Sequence, residues 1–175
     1  PSSDVGRKLS LKFINLGDKL GIKVRCGITY GGQPVGYTIG PALEAREALE
    51  ALEGKGPASL IEKSTALAGM LLEFGGKAVR GEGQQLAAEI LSSGKALQRM
   101  REIINAQGGD GQVRSTDVTA GKCKAEIAAP IDGYITRVSN TAVNRIARAA
   151  GAPAEKGAGI ILYGKEGHKV SKGKK

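Results

Sequence analysis

Apolar positions near the start of the chain recur at helical spacing. Leu9, Phe13, Leu16 and Leu20 fall at i, i+4, i+7 and i+11, which predicts a helix with one apolar face. Gly21 stands where a left-handed C-terminal cap belongs. The period then changes to two: Ile22, Val24, Cys26, Ile28 and Tyr30 alternate with Lys23, Arg25, Gly27 and Thr29. That alternation predicts a strand with one buried face, on which Cys26 is a small hydrophobe rather than a reactive thiol. Gly31-Gly32-Gln33-Pro34 breaks the strand, and Val35–Gly40 leads to Pro41, a residue suited to a first helical turn. A helix is expected over Ala42–Leu52, with Ala45, Ala48, Leu49 and Leu52 inward and Glu44, Arg46, Glu47, Glu50 and Glu53 on the charged side. Pro57 opens a further helix carrying Leu60, Leu67 and Leu71 and ending near Phe74. Two more helical stretches, Gly83–Ser92 and Lys95–Gln107, precede the stop at Gly108-Gly109.

After Asp110 the pattern shifts. Gly111–Lys122 is polar and reads as a linker. Ala125 and Ile127 predict a strand running into the Pro130-Ile131-Asp132-Gly133 turn, and Tyr134, Ile135 and Val138 continue beyond it. Asn140 or Thr141 is placed to cap a short helix ending at Gly151, with Val143, Ile146, Ala147 and Ala150 apolar. Ile160–Tyr163 reads as a strand, Lys165-Glu166-Gly167 as a turn, and Val170 as the start of another strand. The predicted fold class is α/β (α+β): a mixed sheet flanked by helices, followed by a small α+β subdomain with a hairpin. No fixed-period repeat is visible.

Composition narrows the picture. At 175 residues and 41% hydrophobic, the chain can build a core. With 27 Gly, four Tyr, two Phe and no Trp, that core is aliphatic and the turns are many. Base-stacking platforms are poorly supplied. The net charge of +9 is uneven: residues 1–110 hold 14 basic and 12 acidic side chains, residues 111–175 hold 12 and 5. A lysine-rich end is more often a solvated surface than an RNA clamp. Cys26 and Cys123 with one His cannot make a four-ligand zinc site, and so few cysteines suit a reduced, cytoplasmic setting. No apolar run approaches the roughly 20 residues of a membrane span.

Candidates for chemistry are few. Glu44 and Glu47 are spaced as a carboxylate pair, yet helical glutamates at that spacing usually form a solvated face. His168, the one imidazole, lies in a Lys-rich turn. Gly31-Gly32 and Gly108-Gly109 could offer N–H groups to a phosphate, but neither sits in a phosphate-loop pattern, and turn punctuation explains both. No catalytic or substrate-binding residue emerges. Two non-enzymatic alternatives remain: an anion- or RNA-binding module using Lys165, Lys169, Lys172, Lys174 and Lys175, and a biotinyl-like carrier over Ala125–Lys175, which lacks a Met-Lys pair at a hairpin tip.

The stretch Ile28–Leu52, ITYGGQPVGYTIGPALEAREALEAL, carries Gln33, Pro34, Val35, Gly36, Ile39, Gly40, Ala42, Leu43, Glu44, Ala45, Glu47 and Ala48 in a Q-P-[LVI]-G-x-x-[IV]-G-x-A-L-E-[VA]-x-E-A pattern. It resembles the nucleoside phosphorylase family that includes thymidine and pyrimidine-nucleoside phosphorylases. Other blocks agree in order: Leu9–Gly21, Gly54–Leu71, Gly94–Leu97 with Gln107–Asp110, Ala128–Gly133, and Lys165–Gly173 as a KxGxxVxKG hairpin. Tyr30-Gly31 and Pro41 are more similar to the archaeal AMP phosphorylase branch than to bacterial members.

The resemblance implies the C-terminal portion of such an enzyme. Residues 1–110 would be the later part of its α/β domain, 111–122 a linker, and 123–175 a C-terminal subdomain breaking off in mid-hairpin. Members cleave an N-glycosidic bond with inorganic phosphate as co-substrate and no organic cofactor, giving free base and a sugar 1-phosphate. The substrate would be AMP, or in the alternative a pyrimidine nucleoside. Their phosphate and base contacts lie upstream of the matched region, so the chain alone is expected to be inactive. Its implied partners are the upstream part of the same enzyme, a small nucleotide or nucleoside, and a second copy in a homo-oligomer, not a membrane or a nucleic acid. Some pyrimidine-specific members hold a monovalent cation at positions matching Val35, Thr38 and Glu47, with Glu47 as the charged ligand.

Overall fold

The computed structural model describes residues 3–174 and forms two units. One holds residues up to Tyr30 together with Thr65–Ala87; the other holds Gly31–Ser64 together with residues from Ala88 onward. The expectations placed on Pro1 and Lys175 lie outside the described residues.

In the first unit, helix α1 runs Ser3–Leu20 and ends at the predicted glycine. Gly21 adopts φ 68°. Its N–H donates to the Asp18 carbonyl (3.3 Å) and that of Ile22 to the Gly17 carbonyl (2.9 Å), the paired bonds of a Schellman cap. Gly17 is buried beneath the Val24 side chain, which a Cβ there would strike. The apolar stripe is helical as expected but not covered: exposure runs from 51% at Leu16 to 63% at Leu20. Residues 22–30 form no regular element and no ladder among the described residues, and Ile22, Ile28 and Tyr30 are exposed. This corrects the predicted strand with a buried face. Alternation chooses which side chains share a side; a strand also needs a neighbour to take its N–H and C=O groups. Helix α3 (Ala58–Phe74) enters this unit from Thr65, and α4 (Gly83–Ser92) begins in it. Gly69 of α3 and Gly83 of α4 are buried against each other's backbone, an approach that leaves no room for Cβ atoms.

The second unit contains the rest. Strand β1 (Thr38–Ile39) leads into α2 (Pro41–Leu52), with α5 (Lys95–Ala106) and a 3₁₀ turn at Ser115–Asp117 following later. Strand β2 (Gly133–Tyr134), α6 (Asn140–Ala149), β3 (Ile160–Ile161) and β4 (Lys169–Val170) complete it. β1 pairs antiparallel with β3, Thr38 opposite Ile161 and Ile39 opposite Ile160. β2 pairs antiparallel with β4, Gly133 opposite Val170. The architecture is α+β, helices joined by two small antiparallel sheets. Leu43, Leu49, Val138, Val143, Ala147 and Ala152 are its buried apolar side chains.

Three local expectations change, and a polar residue of the stretch 111–122 is buried. The strand predicted at Ala125 and Ile127 is absent, and Ile127 is 88% exposed. The cap of α6 is Ser139, whose hydroxyl accepts from the Ala142 N–H, one position before the expected Asn140. The polar stretch 111–122 is anchored by Ser115, buried in its 3₁₀ turn. On α2 the inward residues are Leu43, Glu47 and Leu49, while Ala45 and Ala48 are exposed. Glu47 therefore does not belong to a solvated face.

Candidate functional site

The polar centre of the second unit is the loop from Gly31 to Gly40, folded back over α2. Gly40 precedes the helix at φ 125°, packed on the Ala158 carbonyl, a backbone setting open to glycine. Its N–H donates to Glu44 Oε1 (3.1 Å), so the first turn of α2 closes on itself. One turn further, Glu47 points into the loop at 6% exposure. Its Oε1 accepts from the Tyr37 N–H (2.7 Å) and its Oε2 from the Thr38 hydroxyl (2.9 Å). Gly36 lies against the same carboxylate, and a Cβ there would overlap it.

A cation reaches the same loop from the far end of the chain. Lys165 is 5% exposed. Its Nζ donates to the Val35 carbonyl (2.5 Å) and to Ser59 Oγ (2.9 Å), and stands 4.3 Å from the centre of the Tyr37 ring. The Ser59 hydroxyl donates in turn to the Val35 carbonyl (2.8 Å). Burial lowers the Lys165 pKa below the ordinary lysine value, and the charge of Glu47 acts to raise it. Beside this cage the Glu166 N–H donates to Gln33 Oε1 (3.0 Å) and Asn140 Nδ2 to the Gly31 carbonyl (3.0 Å). An open cleft of about 400 Å³ adjoins it, lined in part by Pro34, Val35, Thr38, Glu44, Glu47 and Asn140.

Val35, Thr38 and Glu47 thus fall in one cluster. Sequence reasoning missed Lys165 and Ser59. Lys165 was expected among solvated lysines, and its burial removes it from any anion-binding face. Ser59 carried no signal at all, since a serine near the start of a helix is ordinary. Gly108 (φ 83°) and Gly109 give their N–H groups to Asn105 and Ile104 at the end of α5, which makes that pair a helix stop. His168 lies with its ring 6.3 Å from that of Tyr37. A second polar contact joins the end of α2 to the 3₁₀ turn: Glu53 accepts from the Ser115 N–H (2.9 Å) and hydroxyl (2.7 Å). Those two bonds hold the Glu53 pKa below its ordinary value. Among the described residues no group of three or more His, Cys, Asp or Glu converges as a metal site, and no helix is long and apolar enough to cross a membrane.

No family model matches the chain. Individual proteins do. The chain is 56% identical over 168 residues to the AMP phosphorylase of Thermococcus kodakarensis, covering 95% of this chain and 33% of that protein. It is 55% identical over 171 residues to the AMP phosphorylase of Pyrococcus horikoshii, covering 97% and 34%. With the AMP phosphorylase of Methanosarcina mazei it shares 51% over 174 residues, covering 99% and 34%. The chain is homologous to the C-terminal portion of these proteins and spans about a third of their length.

Proposed function

We propose, from that similarity, that the chain is the C-terminal portion of an enzyme that cleaves AMP with inorganic phosphate, releasing adenine and a ribose bisphosphate. The observation that carries this is the 51–56% identity to AMP phosphorylases over nearly all of its length. In such a reaction phosphate attacks the anomeric carbon as the bond to the base breaks. Positive charge grows on the ribose and negative charge on the base, so catalysis needs phosphate held in line and the departing base hydrogen-bonded. The catalytic contacts are assigned to the remaining two-thirds of the enzyme. The chain's own part is scaffolding: Gln33, Val35, Tyr37 and Glu47 lock the Gly31–Gly40 loop to α2 and to the Lys165 turn.

On the same reading residues 1–110 complete the α/β domain and residues 123–175 form the following subdomain, joined through 111–122. The enzyme is cytoplasmic, acts as a homo-oligomer and uses no organic cofactor. Val35, Thr38 and Glu47 are the positions that the resemblance assigns to a monovalent cation.

The test is phosphate-dependent release of adenine from AMP, followed by chromatography, with a pyrimidine nucleoside as the competing substrate. The chain alone should show no turnover, and the longer protein that contains it should turn over AMP. Turnover by the chain alone would overturn the assignment of the contacts to the rest of the enzyme. Preference of the longer protein for the pyrimidine nucleoside would overturn AMP as substrate.

A further inference from the structure

We propose that the cage formed by Val35, Tyr37 and Ser59 is a monocation site whose cation is built in: the Lys165 ammonium stands where a free monovalent ion would otherwise bind.

An alkylammonium offers three N–H groups, and a cage that suits it must offer acceptors to match. Lys165 Nζ has the Val35 carbonyl at 2.5 Å, Ser59 Oγ at 2.9 Å and the Tyr37 ring centre at 4.3 Å. Carbonyl oxygen, hydroxyl oxygen and an aromatic face are also what a potassium or free ammonium ion selects. The Glu47 carboxylate supplies the balancing charge from the side of Tyr37 and Thr38.

An added ion does not fit beside the lysine. The Val35 carbonyl already accepts from both Lys165 and Ser59, which uses its two lone pairs. A second positive charge would have to be desolvated beside the Lys165 ammonium and be repelled by it. So of the positions expected from resemblance to hold an ion, Val35 gives its carbonyl to a lysine instead. The loop is then set by covalent tether rather than by the ionic composition of the medium. This inference stands on the cage itself and holds whatever the substrate of the longer protein.

The experiment uses the chain as it is and the variant Lys165→Ala, which vacates the cage. Each is melted in choline chloride, potassium chloride and methylammonium chloride at equal ionic strength, and amide exchange is followed over residues 35–39. The unaltered chain should melt at the same temperature in all three. Lys165→Ala should melt lower in choline and recover by about 3 °C or more in potassium or methylammonium, with slower exchange at the Tyr37 N–H. Should the variant be unfolded in choline, recovery of helical circular dichroism in methylammonium is the equivalent result. Stabilisation of the unaltered chain by potassium over choline would overturn the proposal, and so would failure of both potassium and methylammonium to rescue the variant.

Discussion

The Lys165 ammonium lies 2.5 Å from the Val35 carbonyl oxygen across 130 positions of sequence. A backbone oxygen in a loop and a lysine in a distant turn thereby become one buried contact. It joins the loop before α2 to the turn that precedes β4.

The carboxylate of Glu47 should matter more than its helical propensity. Glu47→Ala leaves the Tyr37 N–H and the Thr38 hydroxyl without their acceptor and Lys165 without its balancing charge. A loss of about 2–4 kcal/mol in urea denaturation is expected. Glu47→Gln, which keeps one acceptor oxygen, should lose less. Equal losses would show that the acceptor oxygen kept by glutamine contributes nothing and that the carboxylate charge carries the whole effect.

Glu53 confers a pH dependence whose sign follows from its lowered pKa. Above the ordinary glutamate range both folded and unfolded chains are ionised, and the bonds from Ser115 contribute in full. As pH falls, the unfolded chain takes up its proton first. The contribution declines from there and is gone once the lowered folded pKa is passed. Melting temperatures between pH 7 and about pH 3 should therefore fall less steeply for Ser115→Ala than for the unaltered chain. Parallel curves would remove Glu53 from the acid response.

Gly36 and Gly31 differ only in what surrounds them. A Cβ at Gly36 meets the Glu47 carboxylate, while at Gly31 nothing lies within 4 Å, and neither residue has a positive φ. Gly36→Ala should destabilise by roughly 1–3 kcal/mol and Gly31→Ala by about 0.5 kcal/mol or less. Thermal or urea unfolding of the two variants decides it, and a similar loss from both would mean that the loop yields at Gly36.

Thiol labelling should separate the two cysteines. Cys123 is exposed, while Cys26 is half-buried with its Sγ 3.8 Å from the Ser10 carbonyl. Under native conditions an aromatic disulfide reagent should modify Cys123 several-fold faster, with the sites identified by peptide mass. Equal rates would show that residues 22–30 do not hold Cys26 against α1.

Helices were the most legible part of the chain. α1 stops at the predicted Gly21, α4 runs from Gly83 to Ser92 as its spacing requires, and Pro41 opens α2. Each depends on local rules of period, cap and ring geometry that act within a few residues. The strands were less legible. Residues 22–30 alternate cleanly yet form no strand ladder among the described residues, because pairing is a relation between segments. Glu47 shows the same division. Its spacing from Glu44 placed it on a charged helix face, but the loop that covers that face arrives from outside the helix.

By itself the sequence determined where helices start and stop, that the fold is α+β, and that its blocks resemble AMP phosphorylases in order. All of these are written in neighbouring residues or in motifs of fixed spacing. Only the tertiary structure decided that Lys165 is buried rather than solvated, and that Ser59, Tyr37 and Val35 surround its ammonium. A lysine looks the same in sequence whether water or protein oxygens take its protons. Which of them does so depends on chain brought in from more than a hundred residues away.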